Sequence, residues 1–107
     1  MISTHVLDTA HGRPAAGVAV TLSRRDAQGV WSVAANAVTD ADGRVKEFSL
    51  RRIEPGEYRL KFDTAAYFEA AAFYPEVSIV FTVRDASADY HVPLLLAPFG
   101  YSTYRGT

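Results

Sequence analysis

The sequence predicts an all-β fold, a sandwich or barrel with one short helix between two of its strands. Three observations carry this expectation. Turn signals recur at short intervals, the stretches between them alternate with a period of two, and one alanine-rich segment breaks the alternation. A chain of 107 residues suits one domain. No internal repeat, low-complexity stretch or linker divides it, so a single domain is expected over 1–107.

The first strand places His5 and Leu7 on one face. After the Gly12-Arg13-Pro14 turn, Val18, Val20 and Leu22 alternate with Ala19, Thr21 and Ser23. Turns follow at 26–29, at Asp40-Ala41-Asp42-Gly43 and at Glu54-Pro55-Gly56. Tyr58, Leu60 and Phe62 then alternate with Arg59, Lys61 and Asp63. The segment 64–74 is rich in alanine, the best helix former, and reads as the helix. Asp63 or Thr64 is placed to cap it and Pro75 to stop it. Val77, Ile79, Phe81 and Val83 share a face of the next strand, and a turn follows over 85–89.

The strand that holds His91 is the most informative. Tyr90, Val92, Leu94 and Leu96 form an evident core face, with His91, Pro93 and Leu95 opposite. A half-apolar outer face suggests burial against another subunit. Pro93 lacks a ladder donor, so the strand is expected to be irregular or at an edge there. After the Ala97-Pro98 turn, a closing strand over 99–104 brings Gly100, Ser102 and Tyr104 to one face.

Composition removes several function classes. Eleven basic residues against twelve acidic ones, a formal net charge of −1, form no basic stripe, so no nucleic-acid partner is expected. The absence of cysteine excludes a disulfide framework, a thiolate zinc site and a cysteine nucleophile. The segment 1–8 lacks the pattern of a secretory signal, and no apolar run approaches the roughly 20 residues of a membrane helix. A cytoplasmic protein without a membrane partner is the expectation.

His5 and His91 are the leading candidates for proton transfer, because histidine titrates nearest neutrality. From spacing alone, either also fits an ordinary surface or core histidine. His11, in a turn, reads as a loop residue. Three histidines raise the question of zinc, but no His-x-x-x-His pair or nearby carboxylate pattern supports a metal site. Asp40-Ala41-Asp42-Gly43 resembles the start of a calcium loop without its later carboxylates, so a type I turn accounts for it better. Ser102-Thr103-Tyr104 offers hydroxyls but no nucleophile elbow. Arg44 carries a planar fork suited to anions and matters only if it meets the histidines in space.

Several segments taken together are recognisable. Ser3-Thr4-His5-Val6-Leu7-Asp8 with its continuation to Ala15, Thr39-Asp40-Ala41-Asp42-Gly43-Arg44, Phe73-Tyr74-Pro75-Glu76-Val77, Tyr90-His91-Val92-Pro93-Leu94-Leu95-Leu96 and the segment 98–106 follow one another in order. In this the chain resembles the transthyretin-related 5-hydroxyisourate hydrolases over nearly its whole length. The resemblance implies a transthyretin-like β-sandwich of seven to eight strands. It implies hydrolysis of 5-hydroxyisourate, a cyclic product of urate oxidation, to 2-oxo-4-hydroxy-4-carboxy-5-ureidoimidazoline, without cofactor or metal. His5, Arg44 and His91 match the family's catalytic positions. Ser102 and the terminal Tyr104, Arg105, Gly106 and Thr107 would complete the substrate pocket. Threonine at 107 departs from the family's usual serine but keeps a hydroxyl. The resemblance further implies a homotetramer, a dimer of dimers with active sites where the dimers meet. The alternative within the family is a non-catalytic small-ligand carrier, which would bind in an interface channel without turnover.

Overall fold

The computed structural model describes residues 1–107 as two packed sheets. The first contains β1 (Ile2–Asp8), β2 (Arg13–Pro14), β5 (Arg44–Val45), β8 (Tyr90–Ala97) and β9 (Gly100–Thr103). The second has the order β4 (Trp31–Val38), β3 (Ala19–Arg25), β6 (Gly56–Phe62), β7 (Val77–Val83). Seven strands have four or more residues, and β2 and β5 are two-residue pairings on one edge of β1. The other edge of β1 runs parallel to β8, from Ile2 opposite Tyr90 to Asp8 opposite Leu96. Parallel neighbours need a crossover, and here the whole second sheet lies between them in the chain.

The alternation read from sequence defines the core. Ile2 and Val6 of β1 and Val92, Leu94 and Leu96 of β8 are buried against Val20, Leu22, Tyr58, Leu60, Phe62, Val77 and Val83 of the second sheet. The buried polar groups have partners, as burial demands. Thr4 Oγ1 donates to the Val92 carbonyl at 2.6 Å, tying β1 to β8 beyond the ladder. Thr39 Oγ1 accepts from the Val18 N–H at 2.9 Å and donates to the Ala15 carbonyl at 2.6 Å.

Four local features differ from the sequence expectation or were absent from it. The α-helix covers only Thr64–Phe68 (α1), capped by the Asp63 carboxylate, which accepts from the Ala66 N–H at 3.1 Å. Glu69 then takes a positive φ of 55° and a 3-10 turn follows over Glu69–Ala71. A straight helix over 64–74 would hold its ends about 15 Å apart. Instead the Ala65 N–H meets the Pro75 carbonyl at 2.8 Å, so the chain must double back before the alanines are used up. The closing strand is shorter than 99–104, because Tyr104 has left the ladder. β4 had no visible signal: it is a largely exposed edge strand whose pairing shifts register between Leu22 and Ser23, which interrupts its alternation.

Pro93 sits in a central strand. The carbonyls of His91 and Pro93 both face the C-terminal segment, accepting from the Gly106 N–H at 2.8 Å and from Thr103 Oγ1 at 2.7 Å. The donor that Pro93 lacks therefore faces the gap between Thr103 and Gly106, where Tyr104 and Arg105 make no ladder pairing. The irregularity expected at Pro93 falls on that side alone. No helix is long and apolar enough to cross a membrane.

At the far end of β1, the fully buried Asp8 carboxylate gathers the surrounding loops. It accepts from the backbone N–H groups of Ala10 and His11 at 3.0 Å each, from the His11 ring at 2.8 Å and from the Tyr67 hydroxyl at 2.7 Å. Burial alone would push its pKa up, but the hydrogen bonds from Tyr67 and His11 outweigh it and hold the pKa below 3.8. Burial and the Asp8 charge push the Tyr67 hydroxyl up, so it remains a donor. Tyr67→Phe should lower stability in urea unfolding by about 1.5–3 kcal/mol, the usual worth of a hydrogen bond to a charged group. Because the folded-state pKa of Asp8 is depressed, its ionic contribution is full above 3.8 and fades as pH falls through the lower folded value. The stability gap between wild type and Asp8→Asn should therefore be flat above 3.8 and close below it.

Candidate active site

The outer face of the first sheet follows from strand alternation. With Ile2, Thr4, Val6 and Asp8 turned inward, β1 turns Ser3, His5 and Leu7 outward. β8 turns out His91, Pro93 and Leu95 by the same rule. The parallel register sets Ser3 opposite His91 and His5 opposite Pro93, while β5 sets Arg44 opposite His5. Residues far apart in sequence thus reach one surface.

The turn before β5 aims Arg44. Asp40 Oδ1 accepts from the Asp42 N–H at 2.9 Å and the Arg44 N–H at 3.0 Å, and the Gly43 N–H closes on the Asp40 carbonyl at 2.9 Å. The hydrogen bond from the Arg44 backbone leads the causes that hold the Asp40 pKa below its ordinary value. Gly43 has φ of +74°, and a Cβ there would collide with the Val6 carbonyl oxygen. Only glycine allows the turn to lie this close to β1. Two bonds fasten it, from the Val6 N–H to the Gly43 carbonyl at 2.7 Å and from His5 Nε2 to the Asp42 carbonyl at 2.9 Å. A carbonyl only accepts, so His5 Nε2 carries a hydrogen.

His91 is half-buried and held on two sides. Its Nδ1 lies 2.8 Å from Ser3 Oγ. Gly106 packs on its other flank, where an added Cβ would stand 2.5 Å from Cδ2 and 3.3 Å from Cγ. Burial first, then the positive charge of Arg44, then His5, push the His91 pKa below 6.5. The ring is thereby kept neutral at neutral pH.

Beside it lies a cleft of about 520 Å³, lined by residues that include Ser3, Arg44, Lys46, His91, Arg105, Gly106 and Thr107. Its volume suits a small ligand. Arg44, Lys46 and Arg105 bring three cationic side chains to it, and the one acidic side chain, Asp89, is paired with the Met1 ammonium at 3.1 Å. Arg105 is steadied by the Tyr90 ring, 4.8 Å from guanidinium carbon to centroid. The Tyr90 hydroxyl in turn accepts from the backbone N–H groups of Arg84 and Asp85 at 3.1 and 3.0 Å.

The residues singled out from sequence divide accordingly. Arg44, His91, Arg105, Gly106 and Thr107 line this cleft, and His5 flanks it through its pairing with Arg44. Tyr104 lines an adjoining cleft of about 330 Å³ with His91, Tyr90 and Arg105. Ser102 lines neither and lies on β9 opposite Leu95. Ser3 and Lys46 reach the cleft without having been singled out as site residues. For Lys46 the available signal was period two after Arg44; for Ser3 there was none without the strand register. His11 lies away from this group, bonded to Asp8.

The model for the HIUase/Transthyretin family matches residues 2–106. The chain belongs to this family. A 5-hydroxyisourate hydrolase of Deinococcus radiodurans is 46% identical, the match covering 99% of this chain and 95% of the relative. Among solved structures of the family, the 5-hydroxyisourate hydrolase of Klebsiella pneumoniae is 40% identical, with a TM-score of 0.86 over 99% of this chain and 98% of the other. Sea bream transthyretin in complex with thyroxine is 32% identical, with a TM-score of 0.91 over 99% and 94% of the two chains.

The electrostatics give a direct check on the site. In an NMR titration His91 should have its midpoint below 6.5, and Arg44→Ala should move it upward by removing a charge that opposes protonation. An unmoved midpoint would separate Arg44 from His91.

Proposed function

We propose that this chain hydrolyses 5-hydroxyisourate to 2-oxo-4-hydroxy-4-carboxy-5-ureidoimidazoline. The observation that carries the reading is a neutral, clamped imidazole at the edge of a small cationic cleft. Membership of the family and likeness to relatives named 5-hydroxyisourate hydrolase supply the substrate.

His91 acts as general base. As the water oxygen attacks the cyclic amide carbonyl, one water proton passes to the imidazole, and the carbonyl π electrons move onto oxygen. Arg44 offsets the negative charge that develops there. Collapse of the tetrahedral adduct breaks the ring C–N bond, and the imidazolium returns its proton to the leaving nitrogen. His5, fixed by Asp42, orients the water from the Arg44 side. Arg105, Gly106 and Thr107 form the wall of the cleft nearest His91 and Tyr104 lines the adjoining one, while Ser102, outside both, takes no part in this arrangement. Neither a covalent intermediate nor a cofactor enters this sequence of steps.

The same reading takes the chain as one domain over 1–107 in a cytoplasmic homotetramer, a dimer of dimers. Its support is the outer face of the first sheet, where the part-exposed Leu7 and Leu95 sit among the polar site residues; Pro93, expected on that face to meet another subunit, is instead already buried within the chain beside Gly106. Two dimers meeting there would bury that apolar surface and close the cleft against water.

The test is the ultraviolet decay of freshly generated 5-hydroxyisourate. Wild type should accelerate it, and His91→Ala should lose about 100- to 10,000-fold of the acceleration, as for loss of a positioned base. Arg44→Ala should also be slowed while keeping the wild-type melting temperature. Gly106→Ala, which forces the imidazole or the tail to shift, should cost about 100-fold. Saturable ligand binding without turnover by folded wild type would instead establish the carrier.

A further inference from the structure

We propose that Ser3 is a positioning residue: its hydroxyl accepts the Nδ1–H of His91 and so holds the ring in the tautomer whose Nε2 lone pair faces the cleft. This rests on the hydrolase reading for its purpose, though its geometry stands apart from it.

A neutral imidazole carries one hydrogen, on Nδ1 or on Nε2, and the bond made by one nitrogen decides the state of the other. Only one nitrogen of His91 has a protein partner. Ser3 Oγ lies 2.8 Å from Nδ1, and the parallel register makes the two residues direct neighbours on adjacent strands. Nδ1 is the ring nitrogen nearer the backbone, so a side chain as short as serine reaches it from the next strand. Gly106 covers the Cγ–Cδ2 flank. With Nδ1 and that flank occupied, the edge left open is Cε1–Nε2, and His91 lines the cleft.

A hydroxyl can donate or accept, so the bond alone leaves both tautomers possible. The charges around the ring select between them. Arg44, Lys46 and Arg105 all line the same cleft, its one acidic side chain, Asp89, is paired with the Met1 ammonium, and the positive charge that is left favours a lone pair over an N–H on the exposed edge. The hydrogen is thus driven to Nδ1, and Ser3 receives it. Alanine at position 3 would leave Nδ1 without its protein acceptor and release the choice of tautomer. Threonine would preserve it.

The test pairs nitrogen-15 NMR of substrate-free protein, recorded well above the His91 titration midpoint, with steady-state kinetics. Wild type and Ser3→Thr should show hydrogen on Nδ1 and a bare Nε2. Ser3→Ala should show a mixture or the Nε2–H form. Its kcat should fall about 10- to 100-fold, in line with the loss of other histidine-orienting partners. KM should change little, and Ser3→Thr should restore turnover. An Nε2–H tautomer in wild type would overturn the proposal, as would a Ser3→Ala protein with wild-type tautomer and kcat. If wild type fails to hydrolyse 5-hydroxyisourate, the hydrolase reading falls, while the tautomer comparison still decides what Ser3 does.

Discussion

The parallel pairing of β1 with β8 is the constraint on which the molecule depends. Its register is continuous from Ile2 opposite Tyr90 to Asp8 opposite Leu96. Side chains alternate across both strands, so a slip of one residue in either would exchange its core face for its outer face. Val92, Leu94 and Leu96 would leave the core, and His91 would enter it. Burial of the apolar set thus locks the register, and the locked register assembles the site: Ser3 meets His91, and His5 stands between Arg44 and Pro93. The Thr4 hydroxyl, bonded to the Val92 carbonyl from inside the core, adds a polar contact specific to this register.

Loops are then fastened to β1 at fixed heights. Asp8 holds the turn after β1 and, through Tyr67, the short helix. Val6 and His5 hold the turn that carries Arg44. The C-terminal segment is attached to β8 by the Gly106 N–H, and the close packing of Gly106 on the imidazole leaves no room for a side chain. Pro93 contributes by omission. With no N–H to offer on that side, it leaves Tyr104 and Arg105 outside the ladder between two anchored points, and Arg105 rests on the Tyr90 ring. A proline that reads as a flaw in a strand therefore shapes one wall of the cleft.

Much of this was legible in the sequence because period-two alternation needs no knowledge of partners. The faces of β3, β6, β7 and β8 could be read directly, as could the turns; of the two caps the sequence offers, Asp63 and Thr64, the structure uses Asp63. β4 could not, since an exposed edge strand with a register shift has little reason to alternate. The helix was overestimated because alanine content reports propensity and carries no information about where Pro75 must return. At the site, His5, Arg44 and His91 were by chemistry alone candidates that also fit ordinary surface or core residues, and were singled out by family resemblance. Ser3 and Lys46 were not, because a serine or lysine on an outer face looks like any solvated residue until the register across β1, β5 and β8 is known. The electrostatic state of His91 was equally hidden, being set by neighbours from other strands.

The backbone alone does not separate a hydrolase from a carrier. Its TM-score is 0.91 to a transthyretin bound to thyroxine and 0.86 to a 5-hydroxyisourate hydrolase, so function must reside in the side chains on the shared outer face. There, Arg44 sets up a trade-off. Its charge helps keep His91 unprotonated, as a base must be, yet a base with a depressed pKa is a weaker one. On the proposed reading, the reaction itself relieves this conflict. The negative charge that develops on the substrate against Arg44 offsets the charge that Arg44 presents to His91, and the imidazole's affinity for a proton rises as the water attacks. The free site holds its base ready, and the reacting site strengthens it. An equally sized cleft without the arginine would gain basicity in the free protein, but it would spend more of its time protonated near neutral pH and would have nothing to meet the oxyanion.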